Sequence, residues 1–124
     1  MNVIETKNAP GAIGPYSQGY AFGDLVITSG QIPVDPATGT TPEGISAQAE
    51  QSCKNVGAIL EAAGSGFDKV VKTTCFLSDI NDFAAFNGVY AKYFPEGAPA
   101  RSCVEVAALP LGAKVEVEVV AVQG

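Results

Sequence analysis

An α+β fold, with two helices covering one face of a mixed β-sheet, is what this sequence predicts. Three observations carry the expectation. Ile45, Ala49, Cys53, Val56, Leu60 and Ala63 recur at the three-to-four spacing of a helix face. Phe83, Phe86 and Tyr90, with Tyr93 or Phe94, make a second such stripe. Before, between and after these stripes lie short valine- and threonine-rich segments that alternate as half-buried strands do. A helix–strand–helix middle between strand pairs is the pattern of a layered sheet with its helices on one side.

The elements follow in order. Val3 to Thr6 reads as a short strand, followed by the turn-rich Asn8-Ala9-Pro10-Gly11 and Gly14-Pro15-Tyr16. Gln18 to Phe22 alternates, Gly23-Asp24 signals a hairpin turn, and Leu25 to Ser29 reads as a buried strand. Pro33 to Gly44 holds three prolines and is a loop. The first helix then runs from Ile45 to a left-handed cap at Gly64. Val70 to Leu77 is a strand by composition. Asp79 or Asn81 caps the second helix, which stops before Pro95, and Pro95 to Pro99 is loop. Pro99 to Val106 and Val115 to Val119 close the chain as two alternating strands, expected to pair as a hairpin. The sheet face away from the helices keeps apolar residues, so association through that face is expected, with a subunit boundary near Arg101.

Composition narrows the chemistry. At 124 residues, residues 1–124 are expected to form one domain, burying roughly two thirds of the surface the unfolded chain exposes. No apolar run reaches the ~20 residues that span a bilayer, and the start lacks the basic-then-apolar pattern of a signal peptide. A cytoplasmic location is the expectation. Seven basic against 13 acidic residues leave a net charge of −6, with the lysines and the single arginine scattered. Nucleic-acid and anionic-membrane binding are disfavoured on that balance. Histidine is absent, which removes the usual general base, the Ser-His and Cys-His nucleophile pairs and the commonest metal ligand. Cys53, Cys75 and Cys103 are too far apart for CxxC pairs, and an odd count suggests reduced thiols.

What remains is concentrated near the C-terminus. Strand side chains alternate between faces, so Arg101, Cys103 and Glu105 share one face of their strand while Val104 and Val106 share the other. In the next strand Val115, Val117 and Val119 oppose Glu116 and Glu118. If the two pair and both valine sets are buried, Arg101, Cys103 and Glu116 fall on one side of the sheet. A guanidinium, a thiol and a carboxylate there would make a small acid-handling site. Each residue alone has a plainer reading: Arg101 as a surface ion pair, Glu116 or Glu118 as solvated strand residues, Cys53 and Cys75 as core. Cys103 would need a nearby cation to be reactive, and a packing and backbone role is favoured for it.

The segment PARSCVEVAALPLGAKVEVEVVAV resembles the C-terminal signature of the RidA/YjgF family of imine deaminases. AIGPYSQG at Ala12 to Gly19, ITSGQIPVDPATG at Ile27 to Gly39, VVKTTCFLSDINDF at Val70 to Phe83 and FNGVYAKYFP at Phe86 to Pro95 extend the likeness in order. The resemblance implies a chorismate-mutase-like α+β fold assembled as a homotrimer, with sites in the clefts between subunits. It implies hydrolysis of reactive enamines and imines, above all 2-aminoacrylate and its 2-iminopropionate tautomer, to 2-keto acids and ammonia. No metal or organic cofactor is implied. By position, Arg101 matches the family's substrate-carboxylate arginine, Glu116 its water-handling glutamate, and Cys103 the cysteine whose backbone lies beside the substrate. Tyr16, Ser29, Gly30 and Asn87 match the remaining pocket residues. The departure from the family pattern is a short connection, PEGAPAR, ahead of the arginine motif. Two other readings stand beside the enzyme: a trimeric binder or sensor of 2-keto acids, and an endoribonuclease or translation inhibitor, which the charge and the absent histidine disfavour.

Overall fold

The computed structural model describes residues 2–95 and 97–124. Among these residues six strands form one sheet: β1 (Asn2–Ile4), β2 (Gly19–Phe22), β3 (Leu25–Thr28), β4 (Val70–Leu77), β5 (Ala100–Glu105) and β6 (Val115–Val122). Two helices, α1 (Ile45–Ala62) and α2 (Phe83–Tyr93), complete the frame. The spatial order is β1-β2-β3-β6-β4-β5, antiparallel throughout except for the parallel pair β4–β5. The α+β expectation with a mixed sheet holds.

Local sequence explains most of the boundaries. Gly23, at φ 56°, makes the two-residue turn that sets Phe22 opposite Leu25. Gly64, at φ 77°, ends α1 where the pattern placed its cap, and the Ser65 amide donates to the Leu60 carbonyl at 2.8 Å. The Asp79 carboxylate accepts from the Asn81 amide at 2.9 Å and starts a single 3-10 turn that runs into α2. Glu105, at the end of β5, accepts from the Ile80 amide at 2.8 Å and ties the helix entry to that strand.

The apolar stripes of the helices meet the sheet as predicted. Val56, Ile59 and Leu60 of α1 and Phe86, Val89 and Tyr90 of α2 pack on Val26, Cys75, Leu77, Val115 and Val117. Leu25 to Ser29 is not buried on both sides, however. Val26 and Thr28 are buried under the helices, whereas Leu25 and Ile27 are open. The face away from the helices carries Phe22, Leu25, Ile27, Val104 and Val122, each 37–44% exposed.

The expected terminal hairpin is corrected. β5 and β6 do not pair; β4 lies between them. The reason is the connection that precedes β5: α2 crosses over one face and returns the chain parallel to β4, as a helical crossover does. Residues 106–114 then carry the chain past β4 to the slot beside β3. Register fixes the consequence, since directly paired residues share a face. Arg101 pairs with Thr73 and Cys103 with Cys75, and these in turn face Val119 and Val117, all on the helix-covered side. Glu116 pairs with Phe76, which faces Val104, all on the open side. Val104 is therefore surface, not core, and Arg101 and Cys103 do not share a face with Glu116. The PEGAPAR connection contains Glu96, which lies outside the described residues.

Candidate functional site

The site residues fall into two groups. The first lies where α2 crosses β5. Arg101 is half-buried, and its Nη1 donates to the Asn87 Oδ1 at 2.7 Å. Its Cζ sits 4.7 Å from the centre of the Tyr90 ring and 5.4 Å from that of Phe83. Phe83, Asn87 and Tyr90 recur at i, i+4 and i+7 along α2, so one stripe of the helix meets the guanidinium. The Tyr90 phenol shares a buried 2.7 Å hydrogen bond with the Thr73 hydroxyl. Among the described residues no carboxylate lies within ion-pairing distance of Arg101.

Cys103 follows on the same face. Burial pushes its thiol above the ordinary value, and the Arg101 charge only partly opposes that. Cys75, its register partner, is driven to about 12 by burial. Neutral thiols fit the packing role rather than nucleophilic attack. The backbone of Cys103 is the more useful group. The Val106 amide bonds to the Leu77 carbonyl, and strand backbone groups alternate sides. Those of Arg101, Cys103 and Glu105 therefore point away from β4, off the free edge of the sheet.

The second group lies on the open face and in the loops beside it. Glu116 stands against Gly30, where a methyl group would overlap its carboxylate. Flanking hydrogen bonds hold that close approach. The Gln31 amide donates to the Val117 carbonyl at 2.8 Å, and the Ser29 amide donates to the Gln18 carbonyl at 2.8 Å. The Ser29 hydroxyl is already committed, donating to the Ser17 carbonyl at 2.6 Å. Tyr16 is 52% exposed and its phenol oxygen accepts from the Ile13 amide at 3.3 Å. Tyr16, Gly30, Gln31 and Leu111 line a groove of about 1030 Å³. Burial raises the Glu116 carboxyl above its ordinary range, and the Glu118 carboxylate on the same face adds to the shift.

Within one chain the structure sets Arg101 beside Asn87 and on one face with Cys103, and sets Glu116 beside Gly30. The expected association of Arg101 with Glu116 does not hold. With strands ~4.8 Å apart and residues rising ~3.3 Å each, their Cα atoms lie about 14 Å apart, on opposite faces. Phe83 and Tyr90 were legible as a helix stripe but not as neighbours of the arginine. The signal that could have found them is the position of Asn87 on that same stripe. Among the described residues no three His, Cys, Asp or Glu side chains are grouped to hold a metal.

Against known proteins the chain matches the family described as Endoribonuclease L-PSP over residues 6–123. A Salmonella typhimurium protein named 2-iminobutanoate/2-iminopropanoate deaminase is 58% identical over 123 residues, covering 97% of this chain and 96% of that protein. The Escherichia coli protein of the same name is 55% identical with the same coverage. Among solved structures, E. coli TdcF with bound serine superposes with a TM-score of 0.96 at 50% identity, all of both chains being covered. The E. coli YjgF gene product superposes with a TM-score of 0.96 at 53% identity, again over the whole of both. With sequence and fold in agreement along nearly its full length, the chain belongs to the Endoribonuclease L-PSP family, which is the YjgF/RidA family.

Proposed function

We propose that this chain is a cofactor-independent deaminase that hydrolyses short 2-imino acids and their enamine tautomers to 2-keto acids and ammonia. It works as a single domain, residues 1–124, in a cytoplasmic homotrimer. The observation that carries the reaction is Arg101. Its guanidinium is held by an amide oxygen and aromatic rings, none of which neutralises it. Among the described residues nothing else takes its charge or its remaining N–H groups, which leaves them for a substrate carboxylate that a guanidinium binds bidentately. Deaminase names on relatives 55–58% identical to this chain point the same way.

The separation of Arg101 from Glu116 supports the assembly. A site that uses both needs two subunits, Arg101, Asn87 and the Cys103 backbone coming from one and Glu116, Gly30, Ser29 and Tyr16 from the next. The exposed apolar residues around Glu116 supply the face through which subunits would join. Among the described residues no helix is long and apolar enough to cross a membrane. A net charge of −6 argues against a nucleic-acid partner.

The chemistry is modest. The substrate carboxylate docks on Arg101, and the protonated imine carbon is already electrophilic. Glu116, ionised, takes a proton from a water as its oxygen bonds to that carbon, giving a carbinolamine. Glu116 then gives that proton to the nitrogen, takes up the hydroxyl proton as the C–N bond breaks and the carbonyl forms, and passes it to the departing ammonia. One water enters, and 2-keto acid and ammonium leave, so atoms and charge balance. A carboxyl pKa raised toward working pH suits a group that both accepts and returns a proton.

The test couples a dehydratase that makes 2-aminoacrylate from serine to this protein, with semicarbazide as a trap. Faster pyruvate formation and less semicarbazone, both lost in Arg101→Ala, are expected. Normal hydrolysis by Arg101→Ala would sink the site assignment. One observation favours a second reading: the structural relative TdcF holds serine, which is not an imine. Calorimetric binding of 2-ketobutyrate with no hydrolysis would establish this chain as a binder instead.

A further inference from the structure

Resting on the carboxylate-binding reading above, we infer that Tyr90 is a positioning residue for Arg101, fixing the plane in which the guanidinium meets its substrate. A guanidinium carries five N–H donors in one plane and has no internal means of holding that plane still. Asn87 takes one of them, at Nη1. That single bond leaves the group free to pivot about the Nη1···Oδ1 line. A ring packed against the group hinders the pivot, and Cζ lies over the Tyr90 ring, 4.7 Å from its centre.

The ring is itself held. Its phenol is bonded to Thr73, and Thr73 is the residue paired with Arg101 across β4 and β5. Backbone ladder, hydroxyl, ring and guanidinium thus close a loop, and each end of the arginine is referred to the same threonine. The phenol is buried, so its bond to Thr73 serves the ring's position rather than the substrate. Phe83 offers a second, more exposed ring at 5.4 Å.

Rings in this role have an advantage over the usual partner of an arginine. An Asp or Glu would also orient the guanidinium, but would satisfy its charge and occupy the donor edge the substrate needs. An aromatic face attracts the cation and leaves that edge empty. The stripe Phe83, Asn87, Tyr90 orients Arg101 entirely with uncharged groups.

Arg101 is the only arginine in the chain, so its side-chain ¹⁵N–¹H signals are observable without assignment. In the full-length protein the Nη resonances should be resolved by slow rotation, and the ring should shift them. Tyr90→Leu should merge them and weaken 2-ketobutyrate binding, with KM rising about 10-fold and kcat changing far less, while Tyr90→Phe, which keeps the ring, stays within about 3-fold of the parent. A folded Tyr90→Leu protein with unchanged guanidinium signals, Kd and KM overturns the inference. Should Tyr90→Leu not fold, Tyr90→Met, which also lacks the ring, is read the same way, and no change in it overturns the inference. If the parent protein neither hydrolyses imines nor binds a keto acid, the deaminase reading falls. The guanidinium signals then decide the positioning role alone.

Discussion

The two ends of the proposed site are built differently. Arg101 lies under a helix, and its partners Asn87, Tyr90 and Thr73 all come from its own chain. Glu116 lies on the bare face of the sheet, with Gly30 against it and apolar side chains around it. On the proposed assembly the cationic end draws on one subunit, while the acidic end takes its cover from another. A carboxylate-binding group gains from rigidity, because its work is orientation. A proton-transferring carboxylate gains from desolvation, because that moves its pKa, and the proposed interface would add to the burial it already has.

The comparison is broken most sharply by mixing. Arg101→Ala and Glu116→Ala should each lose on the order of 10³-fold in turnover, from loss of a charge-assisted clamp and of proton transfer. If each site takes one residue from each of two subunits, trimers reassembled from a 1:1 mixture of these variants should recover about a quarter of parental activity. A site contained in one chain would recover none, and the coupled pyruvate assay reads the difference.

Gly30→Ala attacks the acidic end alone. The added methyl overlaps the Glu116 carboxylate and must push it aside. Turnover should fall roughly 10²-fold while calorimetry with 2-ketobutyrate changes little. An equal loss of binding would mean that the two ends are not separable.

A smaller effect concerns pH. Glu116 must be ionised to accept a proton, so kcat/KM should fall as pH drops through its raised pKa. Glu118→Gln removes the neighbouring negative charge and should move that acid limb to lower pH. A limb that does not move would assign the titration to another group. The sign for stability is opposite. A carboxyl that holds its proton more tightly when folded favours the fold at low pH, and that contribution is lost as pH rises through the folded value.

The smallest effect tests the connection between the strands that carry the two ends. Leu111, in residues 106–114, sits at φ 57°, the one positive value away from glycine among the described residues, and is 78% exposed. Leu111→Gly should relieve backbone strain and raise stability by roughly 0.5 kcal/mol in denaturant melts, after allowing for glycine's freedom when unfolded. Unchanged kcat and KM would mark the connection as a span. A change in KM alone would bring Leu111, through the groove it lines with Tyr16 and Gly30, into the acidic end.

Much of this was legible in the sequence because it is local. The stripe from Ile45 to Ala63, its stop at Gly64, the turn at Gly23-Asp24 and the strand Val70 to Leu77 depend on periodicity and on single residues with strong backbone preferences. The ordered motif blocks likewise named Asn87, which bonds to Arg101, and Gly30, which lies against Glu116, but not the Phe83 and Tyr90 rings. Which face those residues occupy could not be read this way. Alternation says that Arg101 opposes Val104 and that Glu116 opposes Val117, but not which set meets the core. That depends on β5 pairing with β4 after a helical crossover, with β6 entering on β4's other side, and these are contacts between residues far apart in the chain. By itself the sequence determined the elements, their order and the chemical groups at hand. Only the tertiary structure decided that the guanidinium and the carboxylate face opposite ways, because strand pairing is a long-range choice that local pattern does not encode.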